Sequence, residues 1–518
     1  MLAALVLAGL LTLAHQVVPH KGIHNAITGE DASAAGGHHG SGGGGGSSDT
    51  DLSGDAKNFK GKSVCPKPSA QVLNDDFPTP NYRKSKQGKL IVRLRAAKVP
   101  TEINGQKYLT TSYNGQFPGP LLVVCPGDLL RVNVRNALEP SEATGPHAGL
   151  TNLHTHGFHV SPRRPQDNIF ITIPPGQRYQ HQYKIPRDHP PGNYWYHPHL
   201  HGQTNPQVFG GMAGGIVVKG GLDGDPDWLD IPIRDLVIQE TALDNTNMTT
   251  VVPGPTGPFV PPGSQFFVNG ALNPEIDIQP GELQRWRIYN LSAGQFINLA
   301  LEGQPMQVLA TDGNYLPRIT PEDEILLSPA SRREILVVGG PEGSTRLLSL
   351  PFTPFGPTPT PEQTLATLNS SGTEVDEPLP PRRLPDQQPD LRDDKIDSHH
   401  EIVYSQEPPN FFINGKQFQD DPQDVMETLE LNKTSEWTIR NTTGFWHTFH
   451  IHINDFQITE RNGVPVGGIE HQDNLSIPPG EDVTMRYKPT QFTGRFVFHC
   501  HVLGHEDNGM MAVVQVVK

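Results

Sequence analysis

His499-Cys500-His501-Val502-Leu503-Gly504-His505-Glu506-Asp507-Asn508-Gly509-Met510 lies near the end of a 518-residue sequence. It gathers one thiol, three imidazoles and a thioether into a single short run. The run reads as a strand passing into a loop. Successive side chains on a strand point to opposite faces, so Cys500 faces one way while His499 and His501 face the other. His, Cys and a weak axial Met form the donor set of a blue copper electron-transfer site. Cys500 can therefore hold one metal while its two chain neighbours reach a different one.

Three more H-x-H segments supply that second centre: His154-Thr155-His156, His197-Pro198-His199 and His450-Ile451-His452. With 23 His in 518 residues, chance predicts roughly one such pair. Four pairs on four predicted strands offer eight imidazoles. That number suits a three-metal cluster better than one zinc, which takes about four ligands. His447 and His505 fall outside the pairs and, with Cys500 and Met510, complete a fourth, separate copper. No His occurs between Gly202 and Ser398, so the ligands form two groups separated by a large blank block.

The blank block belongs to a weak repeat. Tyr113-Asn-Gly115 precedes Cys125-Pro-Gly-Asp-Leu-Leu-Arg-Val-Asn-Val-Arg-Asn136. Phe267-Val-Asn-Gly270 precedes Gln279-Pro-Gly-Glu-Leu-Gln-Arg-Trp-Arg-Ile-Tyr-Asn290, and Phe412-Ile-Asn-Gly415 precedes Leu431-Asn-Lys-Thr-Ser-Glu-Trp-Thr-Ile-Arg-Asn441. Each copy is a turn, a break and an alternating strand that ends in Asn. A later element, Ile173-Pro-Pro-Gly176, returns as Ile477-Pro-Pro-Gly480 and, worn, as Leu327-Ser-Pro-Ala330. The 53 Gly and 51 Pro favour turn-rich β structure. The expected fold is all-β, three consecutive Greek-key sandwiches.

The four histidine segments, in this order, resemble the copper-binding motifs of the multicopper oxidases, the family of laccases, ascorbate oxidases, bilirubin oxidases and cuprous oxidases. The resemblance covers about Lys89 to Lys518. It implies cupredoxin-like domains at 80–222, 230–348 and 400–518. Ligands in the first and third alone put the cluster between those two, with the middle one a spacer and a candidate wall of the substrate site. It implies four copper ions: a type 1 copper on His447, Cys500, His505 and Met510, a type 2 copper on His154 and His450, and a type 3 pair on His156, His197, His199, His452, His499 and His501. One departure stands out: Thr448 occupies a position where the family commonly has Pro. Asp167 lies where the family commonly has an acid near the cluster, and Glu506 follows a type 1 ligand directly. Both are candidate catalytic proton carriers, or carboxylates that orient a ligand His.

Residues 1–14 resemble the hydrophobic region of a signal peptide, with Thr12-Leu13-Ala14 as a cleavage site. Residues 15–79, with His38-His39 and the Gly42–Gly46 run, read as a flexible leader. The Pro-rich stretch 349–399 reads as a linker. The expected location is secreted or periplasmic. With Cys500 on copper, Cys65 and Cys125 are either a disulfide or two reduced buried thiols. Sequons stand at Asn247, Asn290, Asn369, Asn432, Asn441 and Asn474. The net charge of −15 argues against nucleic acid and anionic membrane partners, and no other stretch could span a bilayer.

The function expected from these readings is a monomeric oxidase. It would couple four one-electron oxidations of phenols or aromatic amines to the reduction of O2 to water. The alternatives are a metallo-oxidase of Cu(I) or Fe(II), or a non-catalytic copper-binding protein. Soft metals are gathered by Met and Cys, and this chain has 8 Met without a Met-rich insert.

Overall fold

A computed structural model describes residues 63–518 except 74, 141–146, 254–259, 377–379, 381–382 and 386–387. The signal-like stretch 1–14, His38-His39 and the Gly42–Gly46 run lie outside the described residues.

The alternation in the sequence becomes six sheets, stacked in pairs around three separate cores. In the strand Lys89–Ile103, Leu90, Val92, Leu94 and Ala96 are buried while Ile91, Arg93 and Arg95 face water. This is the period of two expected of a half-buried strand. Each sandwich is organised on a parallel strand pair. Lys89–Ile103 pairs with Leu129–Asn136, Ile233–Thr241 with Leu283–Asn290, and Ile396–Glu407 with Thr434–Asn441. Trp286 anchors the second core and Trp437 the third, both fully buried. Truncation of either to Ala costs about 3–5 kcal/mol on general grounds.

The repeat has a physical cause. Asn114, Asn269 and Asn414 each adopt positive φ before a positive-φ glycine, as the tight turns between strands require. Each accepts a backbone N–H through its side chain, from Arg95, Val237 and Val403 respectively. The strand-ending asparagines act alike. Asn136 Nδ2 donates to the Ile173 carbonyl, Asn290 to Leu327 and Asn441 to Ile477. Those three acceptors begin the recurring I-P-P-G or L-S-P-A element, so the two repeated motifs are partners in space.

Two expected boundaries move. The strand Gln363–Ser370 lies inside the stretch read as linker. It joins the second sandwich between Gly343–Leu350 and Glu275–Ile278. Its buried Leu365, Ala366 and Leu368 were masked in the sequence by the surrounding prolines. The leader, too, is structured from residue 63 onward. Cys65 and Cys125 form a disulfide with Cα atoms 5.3 Å apart, Val72 bridges Ile233, and Phe77 enters the second core. Three sequons, Asn290, Asn441 and Asn474, are buried and hydrogen-bonded, which leaves them unsuited to a glycan.

Candidate metal centre

Residues two apart on a strand share a face, so each H-x-H segment presents both rings together. His154–His156 runs antiparallel to Gly192–His197, with His154 opposite His197. His447–Ile451 runs antiparallel to Gly494–His499, with His450 opposite His499. His199, His452 and His501 follow just beyond strand ends. All eight paired histidines are buried between the first and third sandwiches.

Cys500 faces the other way, into the third core. Its Sγ lies 3.5 Å from His447 Nδ1 and 3.6 Å from His505 Nδ1, and the two nitrogens are 3.1 Å apart. A metal with bonds of about 2.0 Å to nitrogen and 2.3 Å to sulfur spaces its ligand atoms about 3–3.7 Å apart. The triangle therefore fits an ion. The Met510 side chain is buried in the same core, and its carbonyl accepts the Cys500 N–H at 3.0 Å. Burial pushes the Cys500 thiol up to about 12 and the His447 imidazole down to about 3. The thiol stays protonated until a metal displaces its proton.

Thr448, the departure from the family pattern, has a role that proline could not fill. Its Oγ1 accepts the His501 N–H at 2.6 Å and lies 3.8 Å from Cys500 Sγ.

The eight-histidine group divides into overlapping sets. Ligand atoms of His154, His450 and His452 lie within 4.8 Å of one another, as do those of His154, His156 and His197, and those of His199, His452 and His499. Burial lowers His197 to about 3 and His199 to about 4, and holds His154, His156, His450, His452 and His501 well below the usual imidazole range. These rings are neutral at pH 7, the form that binds metal.

Partners outside the cluster select which nitrogen faces inward. His154 Nδ1 meets Asp167 at 2.8 Å, His197 Nδ1 the Pro198 carbonyl at 2.7 Å, and His450 Nδ1 the Asp473 carbonyl at 2.6 Å. His199 Nδ1 lies 3.4 Å and His499 Nδ1 3.1 Å from Glu506. Their Nε2 atoms are left for the cluster. The Nε2 atoms of His154, His197 and His450, and both ring nitrogens of His452 and His501, are buried without a hydrogen-bond partner. Each buried unsatisfied polar group costs about 1–3 kcal/mol. So many of them converging on one place is what a set of metal ligands presents before its ions bind.

Both acids singled out in the sequence touch this group. Asp167 also accepts the Thr155 N–H at 3.0 Å, and burial raises its carboxyl to about 8. Glu506 reaches His199 and His499 and accepts the Thr204 hydroxyl at 3.0 Å. Burial acts to raise it, but the flanking imidazoles outweigh burial and hold it at about 2.

Two residues in contact with this group escaped the sequence reading, Asp473 and, through it, Arg332. Asp473 Oδ1 lies 3.0 Å from His156 Nε2 and accepts from Arg332 Nη1 at 2.7 Å, while Arg332 Nη2 binds Oδ2. Burial pushes the Asp473 carboxyl up to about 8, and the Arg332 guanidinium is the largest influence opposing that rise. The only signal was the sequence element Leu327-Ser-Pro-Ala330 just before Arg332.

Other histidines are structural. His181 and His471 bond to backbone carbonyls, and His201 packs edge-on to Phe418. His400, read as linker, sits on a strand, stacks on Trp437 and bonds Glu427 at 2.6 Å.

Three family models, each described as multicopper oxidase, match residues 95–222, 226–342 and 391–518, together more than half of the chain. A multicopper oxidase of Staphylococcus aureus is 26% identical over 451 residues, covering 84% of this chain and 90% of that one. A laccase of Bacillus subtilis is 26% identical over 469 residues, covering 78% and 89%. A solved multicopper oxidase from Campylobacter jejuni, described as a metallo-oxidase, aligns with a TM-score of 0.70 at 25% identity over 88% of this chain and 99% of that one. The chain belongs to the multicopper oxidase family, and its three sandwiches are cupredoxin-like domains. It is an oxidoreductase with O2 as acceptor, and the family implies copper as its metal.

Proposed function

We propose that this chain is a laccase-like oxidase that couples four one-electron oxidations of a phenol or aromatic amine to the reduction of O2 to water. Four copper ions fit the donor sets. His447, Cys500, His505 and Met510 would hold a type 1 ion, and His154 and His450 a type 2 ion. His156, His197, His199, His452, His499 and His501 would hold a type 3 pair. When bound, these ions would supply single-electron acceptance at Cys500 and four-electron delivery to O2 at the histidine cluster.

The chain's own residues define the rest. Cys500 is bonded in sequence to His499 and His501, so a short covalent path links the two donor sets. Asp167 and Glu506 are the carboxylates placed to carry protons to the cluster, as positioned acids do. One chain contributes every donor, which supports action as a monomer. The Cys65–Cys125 disulfide supports export to an oxidising compartment. Among the described residues no helix is long and apolar enough to cross a membrane.

The observation that carries the phenol reading is the aromatic surround of the Cys500 site. Phe411 stacks on His505 at 4.1 Å, Phe355 lies edge-on at 5.5 Å, and Phe445 stacks at 6.3 Å. Phe352, Phe355, Phe445 and Trp446 are only partly buried. They offer ring faces to an aromatic reductant, and Phe352 and Phe355 come from the segment read as linker. The second reading, oxidation of Cu(I) or Fe(II), is favoured by the likeness to the Campylobacter jejuni enzyme.

The test is O2 uptake by the copper-loaded protein with a methoxyphenol, and with Cu(I) and Fe(II) in parallel. Fast uptake with the phenol, yielding water rather than peroxide, is the expected result. Uptake with metal ions alone moves the function to metal oxidation. No uptake with any reductant, all coppers being bound, leaves a copper-binding protein.

A further inference from the structure

The middle sandwich carries none of the proposed ligands, yet one of its side chains reaches the cluster. Arg332 begins the strand Arg332–Val338 and is fully buried. Ala330, two residues earlier, holds φ at +77°, where the equivalent turns have Gly176 at +78° and Gly480 at +75°. A non-glycine residue there is strained, so something must hold the turn. The Asn474 side chain does so, donating to Ser328 Oγ, the Pro329 carbonyl and Ser331 Oγ. Arg332 is itself fixed by the Asn193 carbonyl of the first sandwich and the Ala330 carbonyl, both at 3.0 Å.

This anchored guanidinium grips Asp473, and Asp473 meets His156 through Nε2. His156 thereby differs from His154, His197, His199, His450 and His499, which turn Nδ1 outward. Its Nδ1 is the buried atom with no partner. The fork of Arg332 donates to both carboxyl oxygens, which places Asp473 to accept from His156. That arrangement puts the His156 proton on Nε2 and leaves the unpartnered Nδ1 to offer the lone pair. Gly157 makes the approach achievable. Its φ is +73°, and a Cβ there would fall on the Asp473 carboxylate and lie 2.8 Å from Arg332.

We propose that Arg332 and Asp473 are positioning residues that fix the ring nitrogen His156 presents to the cluster, so that the middle domain sets the cluster's geometry and is not a spacer. The proposal rests on the ligand assignment given above. A partner that fixes a ligand histidine is worth about 10–100-fold in metal affinity. Asp473→Asn and Arg332→Lys keep the volume of the buried pair. Gly157→Ala displaces the pair while leaving both charges in place.

The experiment is a Cu(II) titration of the full chain and of each variant, with the blue absorption of the Cys500 site read separately from total bound copper. Nitrogen NMR of 15N-histidine-labelled protein before copper addition accompanies it. In the wild type, His156 is expected to show a bare Nδ1 alongside His447 and His505, whose Nδ1 atoms face Cys500, and Asp473→Asn abolishes the His156 signal alone. Cluster copper affinity falls about 10–100-fold in the variants, while the blue absorption is retained. Unchanged cluster affinity, or a bare Nε2 on His156 in the wild type, overturns the proposal. So does equal loss at both sites, which would make the pair a general brace. A wild-type chain that binds no copper at the cluster sinks the ligand assignment instead, and the NMR arm still decides the tautomer.

Discussion

His199 of the first sandwich and His499 of the third point their Nε2 atoms at each other across 3.0 Å, although 300 residues separate them in the chain. On the far side of each ring, Nδ1 is turned toward Glu506, at 3.4 Å from His199 and 3.1 Å from His499. Two ligands of one ion approach to about the distance between the two Nε2 atoms. A bound metal would thus join the first domain to the last. Copper saturation is expected to raise the thermal midpoint, with about 4 kcal/mol gained at a thousandfold excess over Kd. Calorimetry with and without a copper chelator checks this, and an unchanged midpoint would count against ligands shared across the interface.

Cys500→Ser removes the one soft donor of the His447–His505 triangle. Blue absorption and turnover should disappear together, while copper at the histidine cluster remains. Absorption spectroscopy paired with copper analysis reads both. A blue variant would remove Cys500 from the site.

Met510→Leu and Thr448→Val should move the reduction potential in opposite directions. A weak axial thioether and hydrogen bonds at the cysteine sulfur tune such sites. Loss of the thioether raises the potential, at a stability cost below about 1.5 kcal/mol for a volume-conserving change. Loss of the Thr448 hydroxyl, 3.8 Å from Sγ, lowers it by returning electron density to sulfur. Redox titration of the blue band measures both, and an unmoved potential in either variant dismisses that residue as a tuning group.

Asp167→Asn keeps the shape that accepts the Thr155 N–H but cannot release a proton. O2 reduction by the fully loaded variant should slow about 100-fold or more. Glu506→Gln should do likewise from beside His199 and His499. Single-turnover reoxidation with all coppers in place is the measurement. Full speed in either case assigns that residue a structural role.

Glu240 links pH to stability away from the ligands. It is buried, accepts the Gly294 N–H at 3.0 Å, and burial raises its carboxyl from the ordinary 4.5 to about 8. Between those values the unfolded chain releases a proton that the folded chain keeps. Stability therefore falls as pH rises through this window. Glu240→Gln should remove that component, so its advantage in thermal midpoint over the wild type grows from pH 4.5 to pH 8. A pH-independent difference would show that Glu240 does not titrate in this range.

The sequence by itself determined the candidate donor residues, the three-fold β repeat and the opposed facing of Cys500 and its neighbours. These depend on local rules: a strand period of two, and turn-forming Asn-Gly pairs whose partners repeat in each domain. Tertiary structure decided the rest. Arg332 and Asp473 are 141 residues apart and meet only because the second sandwich docks its worn turn on the third. Neither residue type nor spacing marks such a pair in advance. The strand Gln363–Ser370 and the covering Phe355 were hidden for a similar reason. Their prolines describe a linker locally, whereas burial against distant strands overrides that preference. Which nitrogen His154, His197 and His450 turn outward was likewise decided in three dimensions, by a carboxylate and carbonyls that the fold alone brings within hydrogen-bond reach.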